Sequence, residues 1–278
     1  MNLKSSNSIK SKSFAIRRKI IETAYKCGES CHLGGSLSMV DLLAVLYYSD
    51  PALNPFGPES NSRNIFLLSK GHCVLGYYST LNVFGYMDNE VLDTFQTNGS
   101  HLIAHPVKNL ELGIESSNGS LGQGLSFGLG ISLGMRLDQM LKRRVYVLMG
   151  DGECNEGSVW ETAASAAEFR ANNLTAIVDA NSLRNDGENS TYSGRIDFKN
   201  IWQAFGWNVV DIDGHDFDQI QNGFEIAKSC TDKPTVILAR TIKGKGVSFM
   251  EANNDWHHNR ITAKTYDQIV NEWAELND

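Results

Sequence analysis

The sequence predicts an α/β fold, a doubly wound and mostly parallel sheet with helices on both faces. Three observations predict it. Unbroken apolar runs at 145–149 and 175–178 lack the polar alternation of a half-exposed strand and suit strands buried on both sides. Stretches with a helical apolar period alternate with such runs, as in βαβ units. Polar residues, Asp151 foremost, stand where the runs end, and in open α/β sheets ligands sit outside the carboxyl ends of strands.

The first element is a helix. Residues 1–21 hold Lys4, Lys10, Lys12, Arg17, Arg18 and Lys19 with no acid, a composition that imitates a transit peptide. Phe14, Ile16, Ile20, Ile21 and Ala24 nevertheless keep a helical period, so residues 1–12 read as a flexible N-terminus and 13–278 as one domain. A glycine-containing bend, Cys31-His32-Leu33-Gly34-Gly35-Ser36, leads into an apolar helix at 40–47, with Ser36 as its N-cap. A Pro- and Asn-rich loop precedes the strand 65–68, and Ser69-Lys70-Gly71-His72 follows it directly, which places His72 at the carboxyl edge of the sheet.

After a helix at 74–81, residues 98–115 show little pattern and carry His101 and His105; a loop this long is often functional. Asn118-Gly119-Ser120-Leu121-Gly122 then opens a helix to about 141. Its glycines at 124, 128, 130 and 134 each cost about 1 kcal/mol of helix propensity relative to Ala, so they suit close packing, either internal or within an assembly. The strand 145–149, a helix at 158–172, the strand 175–178, a helix at 201–205, the strand 207–212, a helix at 217–229 and the strand 235–240 continue the alternation. Lys243 sits just past the last strand, and a final helix at 263–276 has an apolar face at Tyr266, Ile269, Val270 and Trp273.

Composition narrows the function. The 278 residues allow one large domain with ample core, and 41% hydrophobic with 21% charged residues is ordinary for a globular chain. A net charge of −7 argues against nucleic acid or an acidic membrane as partner, and no apolar run reaches the length of a membrane span. The five cysteines are odd in number and form no CxxC pair, which points to a reduced, cytoplasmic protein. No GxGxxG follows the first strand, against a nicotinamide site.

Gly150-Asp151-Gly152 closes one strand, and Asn181 with Leu183 follows the next. A strand–helix–strand crossover sets those two ends side by side. One carboxylate cannot hold a phosphorylated ligand, whereas a carboxylate with a divalent cation can, and Mg²⁺ takes protein carboxylate, phosphate and other oxygens. Taken singly, Asp151 reads as a helix cap and Asn181 as a loop residue. Four histidines, His32, His72, His105 and His257, stand at glycine-flanked or loop positions, and their spacing fits no common zinc motif.

The Gly-Asp-Gly…Asn pairing resembles the diphosphate-binding motif of thiamine diphosphate enzymes, and the sequence around it is most similar to the N-terminal half of transketolase. Cys31-His32-Leu-Gly-Gly, Ser-Lys-Gly-His72, Ala-His105-Pro and Asp-Trp-His257 match the family's histidine motifs. The resemblance implies a thiamine diphosphate-binding fold in which Asp151, Asn181 and the carbonyl of Leu183 hold Mg²⁺ (or Ca²⁺ or Mn²⁺). It makes Ser36 and Glu153 cofactor-binding, places His72, Gly152 and Lys243 with the cofactor's diphosphate, and sets Gly119, Ser120 and Leu121 against its rings. His32, His105 and His257 become catalytic, and Glu156 lies at the interface between cofactor-binding halves.

Cys31 replaces a usual Gly, and His258-Asn259 replace a usual Gly-Lys. The likeness runs from about residue 16 to 262 and covers only the first part of a transketolase. The expectation is a split transketolase. This chain would join a separate subunit carrying the pyrimidine-binding and C-terminal domains, as an α2β2 heterotetramer, and would be inactive alone. The pair would move a two-carbon glycolaldehyde unit from a ketose or its phosphate to an aldose or its phosphate. The α subunit of a 2-oxo acid dehydrogenase and a non-catalytic cofactor-binding fragment are the alternatives.

Overall fold

The computed structural model describes residues 3–54, 63–184, 187–188 and 197–275. Five apolar segments form the strands of one sheet: β1 (Ile65–Leu68), β2 (Val145–Gly150), β3 (Leu174–Ala180), β6 (Asn208–Asp213) and β7 (Thr235–Arg240). They pair in parallel in the order β1-β2-β3-β7-β6. A short antiparallel ribbon, β4 (Leu183–Arg184) with β5 (Gly187–Glu188), follows β3. The register sets Gly150 beside Asp179 and Asp179 beside Ala239, which aligns the ends of three strands.

Successive strand residues point to opposite faces. Phe66, Leu68, Tyr146, Leu148, Ile177 and Ile237 fill one core with α1 (Leu3–Cys27), α3 (Val40–Ser49), α4 (Val74–Val83), α9 (Phe217–Ser229) and α10 (Ala263–Glu275). Leu67, Val145, Val147, Met149, Ala176 and Val236 fill the other, against α6 (Gln123–Leu137), α7 (Gly157–Glu168) and α8 (Phe198–Ala204). Each fully buried aliphatic side chain is worth about 1.5–3 kcal/mol of transfer free energy. The short helices α2 (Gly34–Ser38) and α5 (Asn89–Leu92) complete the described helices. None of these is long and apolar enough to cross a membrane.

Chain direction across the sheet positions the site. α7 and α8 lie on one face after β2 and β3, while α9, between β6 and β7, lies on the other. The winding therefore reverses beside β3 and β7, and a crevice opens beyond their carboxyl ends.

Several expectations need correction. The first helix begins at Leu3, so residues 3–12 are not a loose lead-in: Ile9 is fully buried and Lys12 donates to the Val83 carbonyl (2.8 Å). This stretch was hidden because Ile9 is its one buried apolar side chain among those described, set among serines and lysines; on the next turns Ser13 and Arg17 bind the buried Asp41. Ser36 caps nothing. It lies inside α2, and α3 starts four residues later. α6 stops at Leu137, just before Gln139 adopts φ +59°, and α7 stops at Glu168, with Arg170 at φ +48°.

The glycines of α6 differ in their surroundings, and two of them pack internally. A Cβ on Gly128 would stand 2.5 Å from Val147, and one on Gly124 would stand 2.3 Å from Ser69, whereas Gly130 and Gly134 face open space beside the exposed Phe127 and Leu137.

Candidate active site

A cleft of about 430 Å³ opens at the carboxyl ends of β1, β2, β3 and β7. Asp151 and Asn181 both line it. Ser182 takes a left-handed φ of +62°, which folds the chain after β3 back over the end of β2. There its N–H donates to Asp151 Oδ2 (2.8 Å), while Gly152 N–H donates to Oδ1 (2.8 Å). Asn181 Oδ1 accepts from Leu183 N–H (3.1 Å), and its amide nitrogen donates to Asp179 (3.2 Å). Loops from two adjacent strands thus converge, one bringing a carboxylate and the other an amide with a nearby carbonyl. That donor set is all oxygen, which suits Mg²⁺ or Ca²⁺. Among the described residues no three His, Cys, Asp or Glu side chains gather as a metal cage.

Cationic groups stand around these oxygens. Lys243 follows β7, with its stem packed on Gly34. Its Nζ meets His257 Nδ1 (2.7 Å), Asn254 Oδ1 (2.9 Å) and, at 3.5 Å, the Leu183 carbonyl. Burial lowers its pKa to about 8. Lys70, just after β1, is buried and pairs with Asp179 at the end of β3 while donating to the Gly35 carbonyl (2.9 Å). Burial alone would push the Asp179 carboxyl up. The charge of Lys70 and hydrogen bonds from Lys70, Ser38 and Thr241 outweigh it and hold the carboxyl below its ordinary value.

The histidines form one wall. His32 has ring-centroid distances of 5.0 Å to His72, 5.3 Å to His257 and 6.3 Å to His105. Burial, then the neighbouring rings, lowers His32 to about 3. Burial and nearby lysines lower His72 and His257 to about 4, and burial also lowers His105. All four are neutral at pH 7, so each can donate from one ring nitrogen and accept at the other.

Residues 10–274 match the family model described as transketolase, thiamine diphosphate binding domain. The chain belongs to the transketolase family. It is 38% identical to one of the subunits of the apulose-4-phosphate transketolase of Phocaeicola vulgatus, over 93% of this chain and 91% of that one. It is also 38% identical to the 6-deoxy-6-sulfo-D-fructose transketolase subunit SqwG of a Clostridium species, over 92% of this chain and 93% of that one. The solved transketolase of Campylobacter jejuni superposes on 97% of the chain with a TM-score of 0.83 at 27% identity, and the chain spans only 43% of its length. A transketolase domain of this kind takes thiamine diphosphate and a divalent metal ion.

Not every residue that the transketolase resemblance singled out lines the cleft. His32, His72, His105, Leu121, Gly152 and Lys243 do, as do Gly119, Glu153, Leu183 and His257. Ser36 does not: it is fully buried behind the wall, its hydroxyl donating to the His32 carbonyl (2.6 Å). Ser120 and Glu156 are exposed outside the lining. Glu153 is a brace, since its carboxylate takes Ser69 Oγ, Gly122 N–H (2.9 Å) and Gly150 N–H (3.1 Å).

The two departures from the transketolase pattern turn out to be partners. Cys31 and Asn259 exchange backbone hydrogen bonds (2.9 and 3.0 Å) and so tie the His32 bend to the His257 loop, with His258 at 4.4 Å from the His32 ring.

Sequence reasoning missed Lys70 and Asp179 as a pair. A lysine directly after a wholly apolar strand was the available signal, because a cation there has to find a buried partner.

Proposed function

We propose that this chain is the diphosphate-binding subunit of a two-chain transketolase, transferring a two-carbon glycolaldehyde unit from a ketose to an aldose, with or without phosphate on either sugar. The observation that carries the reading is the convergence of Asp151, Asn181 and the Leu183 carbonyl beside Lys243 and four neutral histidines in one cleft. In this reading Asp151, Asn181 and the Leu183 carbonyl hold the divalent ion. Lys243, His72 and the Gly152 backbone face the diphosphate, and Gly119, Ser120 and Leu121 flank the rings. Ser36 and Glu153 serve the cofactor indirectly, by holding the His32 bend and the glycine loops.

When bound, thiamine diphosphate supplies the nucleophilic carbon for breaking the ketose C2–C3 bond and holding the two-carbon fragment. His32, His105 and His257 exchange protons with sugar hydroxyls and the developing alkoxide; such assistance is typically worth about 10²–10⁴ in rate.

The partner is a separate subunit bearing the pyrimidine-binding and C-terminal domains, in an α2β2 assembly. Relatives named as transketolase subunits, matched over nearly their whole length, support this. So does the outer face of α6, where Phe127 and Leu137 are exposed beside open glycines, and so does the exposed Glu156 at the start of α7. A reducing, cytoplasmic location goes with the five free thiols.

The test is to mix the purified chain and its partner with Mg²⁺ and thiamine diphosphate and to follow two-carbon transfer across a panel of ketoses and ketose phosphates. Transfer that needs both chains is expected. Absence of transfer from every donor overturns the proposal.

A further inference from the structure

The loop that carries Lys243 is held from the side opposite the cleft. In a parallel ladder, alternate residues direct their backbone groups toward alternate neighbours. Thr241 N–H reaches Ala180 of β3 (3.2 Å), so Ile242 N–H points the other way, toward β6. β6 has already ended at Asp213, and no strand carbonyl is there to receive it. His215, two residues beyond β6, fills the gap: its Nε2 accepts from Ile242 N–H at 2.8 Å.

The other ring nitrogen fixes this arrangement. His215 Nδ1 lies 2.8 Å from Asp41 Oδ2, and Asp41, buried, is clamped by Arg17 at 2.9 and 2.7 Å. A carboxylate can only accept, so Nδ1 carries the hydrogen and Nε2 is left as the acceptor that Ile242 requires. Arg17 completes the frame by donating from Nε to the Lys245 carbonyl (2.9 Å). Gly246, at φ +95°, lies so close that a Cβ there would stand 2.6 Å from the Arg17 side chain. Gly244 N–H donates to Gly34 O (2.9 Å), and the Lys243 carbonyl accepts from Ala252 N–H (2.9 Å). Every residue from 242 to 245 is therefore pinned, and the acceptor for the Ile242 amide is the His215 side chain.

We infer that His215, oriented by Asp41 and Arg17, is a positioning residue that sets where Lys243 presents its ammonium to the cofactor's diphosphate. His215 touches nothing that reacts and acts through the Ile242 amide. The inference rests on the reading that Lys243 faces that diphosphate.

The decisive variants separate the two ring nitrogens. His215→Asn keeps a donor for Asp41 and loses the acceptor for Ile242, whereas His215→Gln keeps an acceptor near the Nε2 position. Two readouts are taken on the full chain: amide hydrogen exchange of residues 241–246 without cofactor, and affinity for thiamine diphosphate with Mg²⁺ by titration calorimetry. His215→Asn is expected to speed exchange in this segment and to weaken binding roughly tenfold, the size of one buried hydrogen bond lost. His215→Gln is expected to stay near wild type in both. Exchange and affinity unchanged in His215→Asn would overturn the inference, as would equal losses in both variants in step with their unfolding midpoints. If wild type fails to bind thiamine diphosphate both alone and mixed with its partner subunit, the cofactor reading falls, while the exchange experiment still reports whether His215 holds the loop.

Discussion

Removing Lys70 should unfold this protein more readily than removing any exposed charge, because Lys70 and Asp179 have only 2% and 0% of their side chains exposed. In Lys70→Met, Asp179 keeps donors from Ser38, Thr241 and Asn181 but loses its only ion-pair partner among the contacts described. Breaking a buried pair by deleting one partner typically costs about 3–5 kcal/mol, whereas replacing both can be nearly neutral. Urea unfolding at pH 7.5, followed by the fluorescence of the buried Trp202 and Trp207, is the assay.

Lys70→Met should lose about 3–5 kcal/mol, and Lys70→Met/Asp179→Asn should recover most of it. The pH dependence has a definite sign. In wild type the Asp179 carboxyl is held below its ordinary 3.8, so its contribution is present above that pH and fades as pH falls through the folded value. In Lys70→Met, burial is no longer opposed by the ammonium and the carboxyl rises. The penalty should then shrink between pH 7.5 and pH 5 as the acid takes up a proton. A single variant within about 1 kcal/mol of wild type, or a double variant as unstable as the two singles combined, would refute the reasoning.

Three further outcomes follow from the same geometry. Asp151→Ala should weaken thiamine diphosphate binding in the presence of Mg²⁺ by roughly 100-fold or more, since even residues behind a metal ligand cost 10–100-fold when changed; calorimetry with and without the metal checks it. The folded chain holds His32, His72 and His257 near 3 to 4 against an ordinary 6.5, so the unfolded chain binds more protons and stability should fall as pH drops from about 6.5 toward 4. His32→Asn should flatten that slope by about a third, read from unfolding free energies across the range. On α6, Gly128→Val should destabilise by about 1–3 kcal/mol through its clash with Val147, while the outward Gly130→Ala should stabilise the isolated chain by about 0.5–1 kcal/mol. Differential scanning calorimetry distinguishes the two.

What could be read from the sequence was whatever is local. The runs at 65–68 and 235–240 stand where expected because a strand buried on both faces leaves an unbroken apolar signature. Helix 217–229 has its expected bounds because Asp216 caps it through Asp218 N–H and Gln219 N–H. Asp151 and Asn181 meet in one cleft because a strand–helix–strand unit leaves little freedom in where its ends fall.

What could not be read depends on partners far along the chain. The early turns of α1 looked loose because serines and lysines surround Ile9, and what meets them, such as the Val83 carbonyl that accepts from Lys12, lies on another helix. Lys70 was only a spacer before His72 until β3 brought Asp179 beside it. Cys31 and Asn259 looked like two separate departures from a pattern, and only the fold shows them paired.

That pairing bears on when the cleft comes into being. One wall is delivered with the first helix, and its counterpart emerges some two hundred residues later; Arg17 and Lys245, nearby, are 228 positions apart. Contacts of such sequence separation form slowly, since a long loop has to be closed before they reward it. A nascent polypeptide on the ribosome therefore gains β7, a central strand of the sheet, only shortly before the Cys31–Asn259 tie can form. A chain truncated ahead of residue 259 lacks that tie, and the His32 bend loses its backbone anchor to the segment that follows His257.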